Sequence, residues 1–297
     1  MAKKLTTEDR NPASEVIDSL SALEIVRLIN AEDAQVAGAV AREEIAIARA
    51  IEAITERLDS GGRLIYLGAG TSGRLGILDA AECPPTFNTS PDQVVGLIAG
   101  GRSAMFRAVE GAEDSPDLAA DEFKEMGLCE RDIVVGIATS GQTPYVIGGM
   151  QYAQSQGVYT IGLSCNRDSK LVACSDLTIA PVVGPEVISG STRMKAGTAT
   201  KMVLNMLTTG AMVRLGKTFG NLMVDLRASN TKLVARSRRI VSMLTDLSES
   251  EAEGLLAQCD GELKTAVVAQ LKSLSPKEAR RRLFRAGGHL RQALEES

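Results

Sequence analysis

The stretch Arg63-Leu64-Ile65-Tyr66-Leu67-Gly68-Ala69-Gly70-Thr71-Ser72-Gly73-Arg74 is a short apolar run that stops at glycines and hydroxyls, and Glu82-Cys83-Pro84-Pro85 follows it. Leu64 to Leu67 reads as a buried parallel strand. Gly68, Gly70 and Gly73 then let the backbone turn so that amide N–H groups face an anion at the N-terminus of the next helix. The literal spacing is G-x-G-x-x-G, which invites a dinucleotide reading. Whether the anion is a pyrophosphate or a sugar phosphate decides the function.

A dinucleotide site requires an acidic residue at the end of the second strand, about twenty residues past the glycines, to hold the ribose hydroxyls. That strand, Val94 to Ala99, runs instead into Gly100-Gly101. The hydroxyls of Thr71 and Ser72 suit a compact phosphomonoester better than a pyrophosphate approached by backbone alone. A second cluster, Thr139-Ser140-Gly141-Gln142-Thr143, follows another strand and precedes Pro144, a favoured first helical residue. It makes a second anion nest at a strand end. The third cluster, Glu186-Val187-Ile188-Ser189-Gly190-Ser191-Thr192-Arg193-Met194-Lys195, leads into a long helix, with Arg193, Lys195 and Lys201 supplying positive charge.

Composition removes several classes. The chain has 297 residues, 44% hydrophobic and 24% charged, with 3% aromatics and no tryptophan, so its core is packed from aliphatic residues. A net charge of −4 advertises neither nucleic acid nor an anionic membrane. Five cysteines form no C-x-x-C pair and His289 is the sole histidine, so no metal site is expected. Scattered thiols, with the polar run Thr6 to Asn11 where an apolar signal core would lie, predict a cytoplasmic protein. No apolar run is long enough for a membrane span.

The pattern predicts an extended arm over 1–14, a short helix near Leu20 to Asn30 and one long helix over Asp33 to Leu58. Strands are expected at Leu64–Leu67, Val94–Ala99, Ile133–Ala138, Tyr159–Leu163 and Leu177–Ala180. Helices are expected at Ser72–Glu82, Ser103–Glu110, Pro116–Met126, Pro144–Ser155 and Gly197–Leu215. The alternation implies an α/β fold, a doubly wound and mainly parallel sheet flanked by helices. Beyond Ser242, polar breaks predict a small three-helix unit, and Arg280-Arg281-Arg282 reads as a solvated helix face. The expected division is an arm with helices over 1–49, a ligand-binding domain over 50–220, a connecting helix over 221–241 and a helical domain over 242–297.

The three clusters resemble the sugar isomerase (SIS) domain, a phosphosugar-binding α/β fold, over roughly residues 50 to 215. More specifically, the runs from Leu67 to Thr86, Val109 to Ser115, Gly190 to Thr198 and Phe219 to Asp225 are similar to those of the N-acetylmuramic acid 6-phosphate etherases. The Thr7-Glu8-Asp9-Arg10-Asn11 arm and the tail from Ala286 to Leu294 share the likeness. The resemblance implies a homodimer, a ubiquitin-associated-like C-terminal unit and a small phosphosugar substrate. It also implies cleavage of the D-lactyl ether of N-acetylmuramate 6-phosphate, in cell-wall sugar recycling, with neither metal nor cofactor. A phosphosugar isomerase or a noncatalytic phosphosugar sensor of the same fold is the alternative.

The family's two catalytic glutamates match Glu82 and Glu113. Pro84 and Pro85 are expected to end the helix at Glu82, where the negative end of the helix dipole would favour a protonated acid. Gly111 and Ser115-Pro116 place Glu113 in a turn between helices, free to face a cleft, with Asp114 a neighbouring competitor. On the pattern of the family it resembles, Glu82 is assigned as general acid and Glu113 as base at C2; the residues alone leave the reverse assignment open, and Glu186, a third candidate, is given mainly a binding or structural role. The phosphate is assigned to Ser72, Ser140 and Thr143 with Gly70, Thr71 and Gly141 as backbone contributors, and more weakly to Ser191, Thr192 and Lys195.

Overall fold

The computed structural model describes residues 6–226 and 231–295. Five parallel strands, β1 (Leu64–Gly68), β2 (Val94–Ile98), β3 (Ile133–Ile137), β4 (Tyr159–Leu163) and β5 (Leu177–Ile179), form one sheet in the order β2-β1-β3-β4-β5. β1 and β3 are buried at every position, as near-continuous apolar runs between helical layers must be. Their register is set at the entry to both strands. Asp132, immediately before β3, accepts from Arg63 N at 2.9 Å, Arg63 Nε at 3.0 Å, Arg63 NH2 at 2.6 Å and Cys129 N at 3.0 Å.

Helices in chain order are α1 (Ala22–Asp33), α2 (Val36–Ala41), α3 (Glu44–Asp59), α4 (Gly70–Phe87), α5 (Leu118–Glu125), α6 (Pro144–Ser155), α7 (Lys170–Ala173) and α8 (Lys195–Arg214). Ile65 and Leu67 of β1 and Val134 of β3 pack with Phe123 of α5 and Tyr145, Val146 and Met150 of α6 in one apolar core. On the opposite side of β1, Tyr66 Oη donates to Asp79 Oδ2 at 2.9 Å and so ties α4 to the sheet. Burial pushes the Asp79 carboxyl up, only partly offset by Tyr66, Thr208 and Lys201.

The hairpin β6 (Thr218–Phe219) and β7 (Leu222–Met223) precedes α9 (Thr231–Thr245), α10 (Glu249–Gln258), α11 (Leu263–Lys272), α12 (Pro276–Arg285) and α13 (Leu290–Glu295). Capping boxes at Ser248 with Glu251 and Ser275 with Glu278 start α10 and α12, and Pro276 opens α12 as its sequence implies. Val241, Leu256, Val267 and Leu283 share a separate core. Of the described residues, those within Met1–Ala81 and Asp92–Thr208 form one compact unit, and those within Glu82–Pro91 and Thr209–Ser297 a second.

Five expectations need correction. The arm expected over 1–14 is not extended in its described part, residues 6–14: 3-10 turns form at Thr6–Glu8 and Pro12–Ser14 and Thr7 is completely buried, while residues 1–5 lie outside the described ones. The long helix over Asp33–Leu58 is broken into α2 and α3 because Glu43 turns its carboxylate outward, to Arg167 NH2 at 2.6 Å and Ala180 N at 3.2 Å. Ser103–Glu110 is not a helix. Its start is a 3-10 turn, Gly101–Met105, whose last carbonyls are taken by Arg74 at 2.7 and 3.0 Å instead of by a further helical turn.

The helix at Glu82 does not stop at the prolines, because α4 carries Pro84 and Pro85 inside it. Two intrahelical bonds are lost there, but Cys83 and Phe87, one turn apart, are both buried, and Asn88 in the left-handed region closes the helix on Pro84 O at 3.0 Å. The stop signal is Asn88, so Glu82 sits inside the helix and not at its end. Beyond Ser242 the described residues hold α10 to α13, four short helices and not three. Residues 227–230 of the expected connecting helix lie outside the described residues.

Candidate active site

Strand order reverses between β1 and β3, and the crevice outside the carboxyl ends of such a pair is where open parallel sheets bind ligands. The loop after β1 and the loop after β3 both open there, into one cleft of about 390 Å³. Gly70, Thr71 and Ser72 at the start of α4 and Ser140 and Thr143 before α6 line it, together with Thr192. The first turns of α4 and α6 have N–H groups without helical partners, so this wall offers neutral donors to an anion. Thr143 is the N-cap of α6, yet its side chain makes no capping hydrogen bond.

The glycines of the first loop have separate tasks. Gly70 has φ of +51°, which turns the chain from strand into helix. A Cβ on Gly73 would stand 2.6 Å from Ile98 Cγ1 and 2.7 Å from Gly68 O, so its absence lets α4 press against the sheet. In the second loop, Gly141 has φ of +67°, and a Cβ there would meet Ser169 Cβ at 2.1 Å. Gly141→Ala should therefore displace Ser140 and weaken phosphosugar binding by about tenfold or more, on the scale of 1–3 kcal/mol for such backbone strain. Calorimetric titration of the variant against the parent chain checks this.

Carboxylates line the cleft too: Glu113, Asp114 and Glu8 do so, and among the described residues no lysine or arginine does. Gly111, with φ of +73°, leads into the 3-10 turn Ala112–Asp114, in which Ala112 is buried in the sheet's core while Glu113 and Asp114 are exposed. Glu82 is exposed on α4 and is not among the lining residues. Gly141 shapes the loop from behind, and Ser191 does not line the cleft.

Lys195 does not line it either. Buried to 2% exposure, it pairs through Nζ with Glu32, whose other donor is Asn11 Nδ2 at 2.8 Å. Burial raises the Glu32 carboxyl, but Lys195 and Asn11 together bring it below its ordinary range. Glu186 is fully buried and accepts from Lys195 N at 3.0 Å and Ala196 N at 2.9 Å, which caps the start of α8. Its burial outweighs those bonds and raises its carboxyl.

A larger cavity, about 780 Å³, lies within the helical unit, but its acids are committed. Asp225 pairs with Lys217 and Lys264 at 3.0 and 2.9 Å, and Asp260 and Glu262 both pair with Arg280. The smaller cleft alone of these two joins hydroxyl loops to carboxylates that have no ion-pair partner among the described residues. Among the described residues no group of three His, Cys, Asp or Glu is arranged for a metal ion.

Comparison with known proteins identifies the family of the chain. The model of the glucokinase regulatory protein N-terminal SIS domain matches residues 46–154, and that of the SIS domain matches residues 118–210. An N-acetylmuramic acid 6-phosphate etherase of Rhodopirellula baltica is 62% identical over 98% of this chain and 96% of its own length. The chain belongs to the N-acetylmuramic acid 6-phosphate etherase family. A second etherase, from Streptomyces avermitilis, is 57% identical over 98% of this chain and 93% of its own. Two solved structures share the fold at lower identity. One is a putative phosphosugar isomerase from Bacteroides fragilis, with TM-score 0.51, 23% identity, and 65% of this chain and 91% of that one covered. The other is a phosphoheptose isomerase from Neisseria gonorrhoeae, with TM-score 0.51, 18% identity, and 64% and 98% covered. Both stop short of the whole etherase chain.

Sequence reading of this etherase-family chain did not find Glu8 or Gln142 in the cleft wall. Gln142 lies between two assigned residues. Glu8 belongs to the Thr7–Asn11 run that the chain shares with the etherases, and that likeness was the one available signal.

Proposed function

We infer that the protein is an N-acetylmuramate 6-phosphate etherase, releasing D-lactate and N-acetylglucosamine 6-phosphate. The observation that carries this is the pairing of near-full-length likeness to etherases with a cleft that joins two hydroxyl loops to Glu113. An alkoxide is a poor leaving group, so the sugar is first opened to its aldehyde, which acidifies the C2 proton. Glu113 takes that proton, the C3–oxygen bond breaks with its electron pair going to the lactyl oxygen, and Glu82 supplies the proton that makes lactate neutral at that oxygen. Water then adds to C3 of the unsaturated aldehyde and the C2 position is reprotonated.

The phosphate is assigned to Ser72, Ser140 and Thr143 with Gly70, Thr71 and Gly141, and secondarily to Ser191, Thr192 and Lys195. Support differs along that series: Ser72, Ser140, Thr143, Gly70, Thr71 and Thr192 line the cleft, Gly141 and Ser191 do not, and Lys195 is spent on Glu32. Glu113 faces the cleft, whereas the role of Glu82 rests on its match to the family's Ala-Glu-Cys-Pro-Pro run. The reading includes a homodimer in the cytoplasm and a ubiquitin-associated-like unit over 242–297, after domains over 1–49 and 50–220 and a connecting segment over 221–241. Five free cysteines support a reducing compartment, and no described helix is long and apolar enough to cross a membrane.

The test is turnover of N-acetylmuramate 6-phosphate in ¹⁸O-labelled heavy water. Unlabelled D-lactate, with ¹⁸O at C3 and deuterium at C2 of the sugar, is expected. Folded protein that yields no lactate sinks the etherase reading, and ¹⁸O in the lactate sinks elimination.

A further inference from the structure

Nothing in that chemistry uses the N-terminal turn Thr6–Glu8, yet the turn is built into the cleft wall. Thr6 donates to Asn166 Oδ1 through N at 2.9 Å and Oγ1 at 3.0 Å. Asn166 Nδ2 donates to Thr139 O at 3.0 Å and to Thr7 Oγ1 at 3.3 Å. One nearly buried amide therefore joins the arm to the peptide just before Ser140. On the far side, Ser189 Oγ reaches the carbonyls of Glu8 and Asp9 at 3.4 and 3.3 Å, and Asn11 is held by Glu32 and Pro185.

This clamp fixes the backbone around Glu8 while leaving its side chain unused. Glu8 Oε2 lies 3.5 Å from where a Cβ on Gly190 would stand, and the carboxylate has no hydrogen bond or ion pair among the described residues. Ordering a segment costs conformational entropy, and here the ordered result is a carboxylate on the wall of a phosphosugar cleft. An anion cannot serve the phosphate, which the neutral donors of α4 and α6 attract and a carboxylate repels. What it can do is accept charge-assisted hydrogen bonds from the sugar's own donors.

We propose that Glu8 is a substrate-positioning group, its carboxylate accepting hydrogen bonds from a hydroxyl or the amide N–H of the bound amino sugar. The assignment rests on the phosphosugar reading of the cleft. It makes the arm a component of recognition, with the phosphate left to neutral donors and the sugar held in part by a carboxylate.

The test compares the full chain with Glu8→Gln and Glu8→Ala. Binding of N-acetylglucosamine 6-phosphate and of inorganic phosphate is measured by calorimetry, alongside Tm and steady-state kinetics. Glu8→Gln should weaken the sugar phosphate roughly tenfold, since a hydrogen bond to a charged group is being traded for a neutral one. Its affinity for inorganic phosphate and its Tm should stay those of the parent, and KM should rise by a larger factor than kcat falls. Glu8→Ala should behave alike, with a larger loss of sugar affinity. Three results overturn the proposal: unchanged sugar affinity in both variants, an equal loss for sugar phosphate and inorganic phosphate, or a fall in kcat alone. A parent chain that binds neither ligand would instead overturn the phosphosugar reading itself, and the proposal with it.

Discussion

Glu113→Gln should lower D-lactate release by about 10²- to 10⁴-fold, the range a positioned general base contributes. Deuterium uptake at C2 should fall with it, because the substitution removes the group that draws off that proton. Glutamine keeps the shape of the side chain, and Glu113 is exposed in a turn anchored through Ala112, so folding should be untouched. Glu82→Gln should give a different signature: lactate release lost, C2 exchange retained. Measuring exchange by NMR and lactate by coupled assay on both variants assigns the roles. If Glu82→Gln abolishes exchange and Glu113→Gln spares it, acid and base must be swapped. If neither variant loses activity, another carboxylate carries the chemistry, and Asp114, beside Glu113 in the cleft wall, is the first to examine.

Asp132→Ala should destabilise the chain by about 3–5 kcal/mol, the usual result of breaking a buried ion pair from one side. Asp132 is 1% exposed and accepts hydrogen bonds from Arg63 and the Cys129 N–H at the entry to β1 and β3. Burial raises its carboxyl, but the Arg63 guanidinium and the two N–H bonds outweigh burial and hold it below the ordinary carboxylate range. A depressed carboxylate contributes stability that is fully present above its unfolded pKa, near ~3.9, and is lost as pH falls through the lower folded value. Asp132→Asn should therefore flatten the acid limb of the stability curve as well as lower its plateau. Urea unfolding between about pH 3 and 7 measures both. A variant as stable as the parent at neutral pH would show that the pair does not set the register. Because β1 and β3 carry the two hydroxyl loops, Asp132→Ala should also weaken phosphosugar binding.

The sheet was legible because each buried strand is an apolar run bounded by glycine or polar residues, and Tyr159–Leu163 appears as expected to the residue. Both hydroxyl loops were legible for the same reason, since a strand that stops at Gly68 or Ala138 and restarts as a helix leaves its hydroxyls at the sheet's carboxyl edge. Helix ends were less legible, because tertiary contacts decided them. At Pro84 and Pro85 the local rule for a helix stop lost to the burial of Cys83 and Phe87. At Glu43 a continuous helical pattern lost to a carboxylate needed by Ala180 N. The arm was the least legible part. Thr6, Thr7 and Asn11 read as solvated polar residues, and their partners, Asn166, Thr139, Glu32 and Pro185, are distant in sequence.

A cleft for a phosphorylated sugar that is lined by hydroxyls, amides and carboxylates, with no cationic side chain among the described residues, is poorly suited to anions in general. Nucleotides and other polyphosphates crowd any cell, and a lysine- or arginine-lined pocket would attract them over a distance of several ångströms regardless of their shape. On the proposed assignment attraction begins only at contact, when a single phosphate fits between the starts of α4 and α6 and the rest of the molecule can face acids. With the phosphate held there, the wall would work as a filter against the commonest competitors for such a site and would leave the enzyme's occupancy to the concentration of its own substrate.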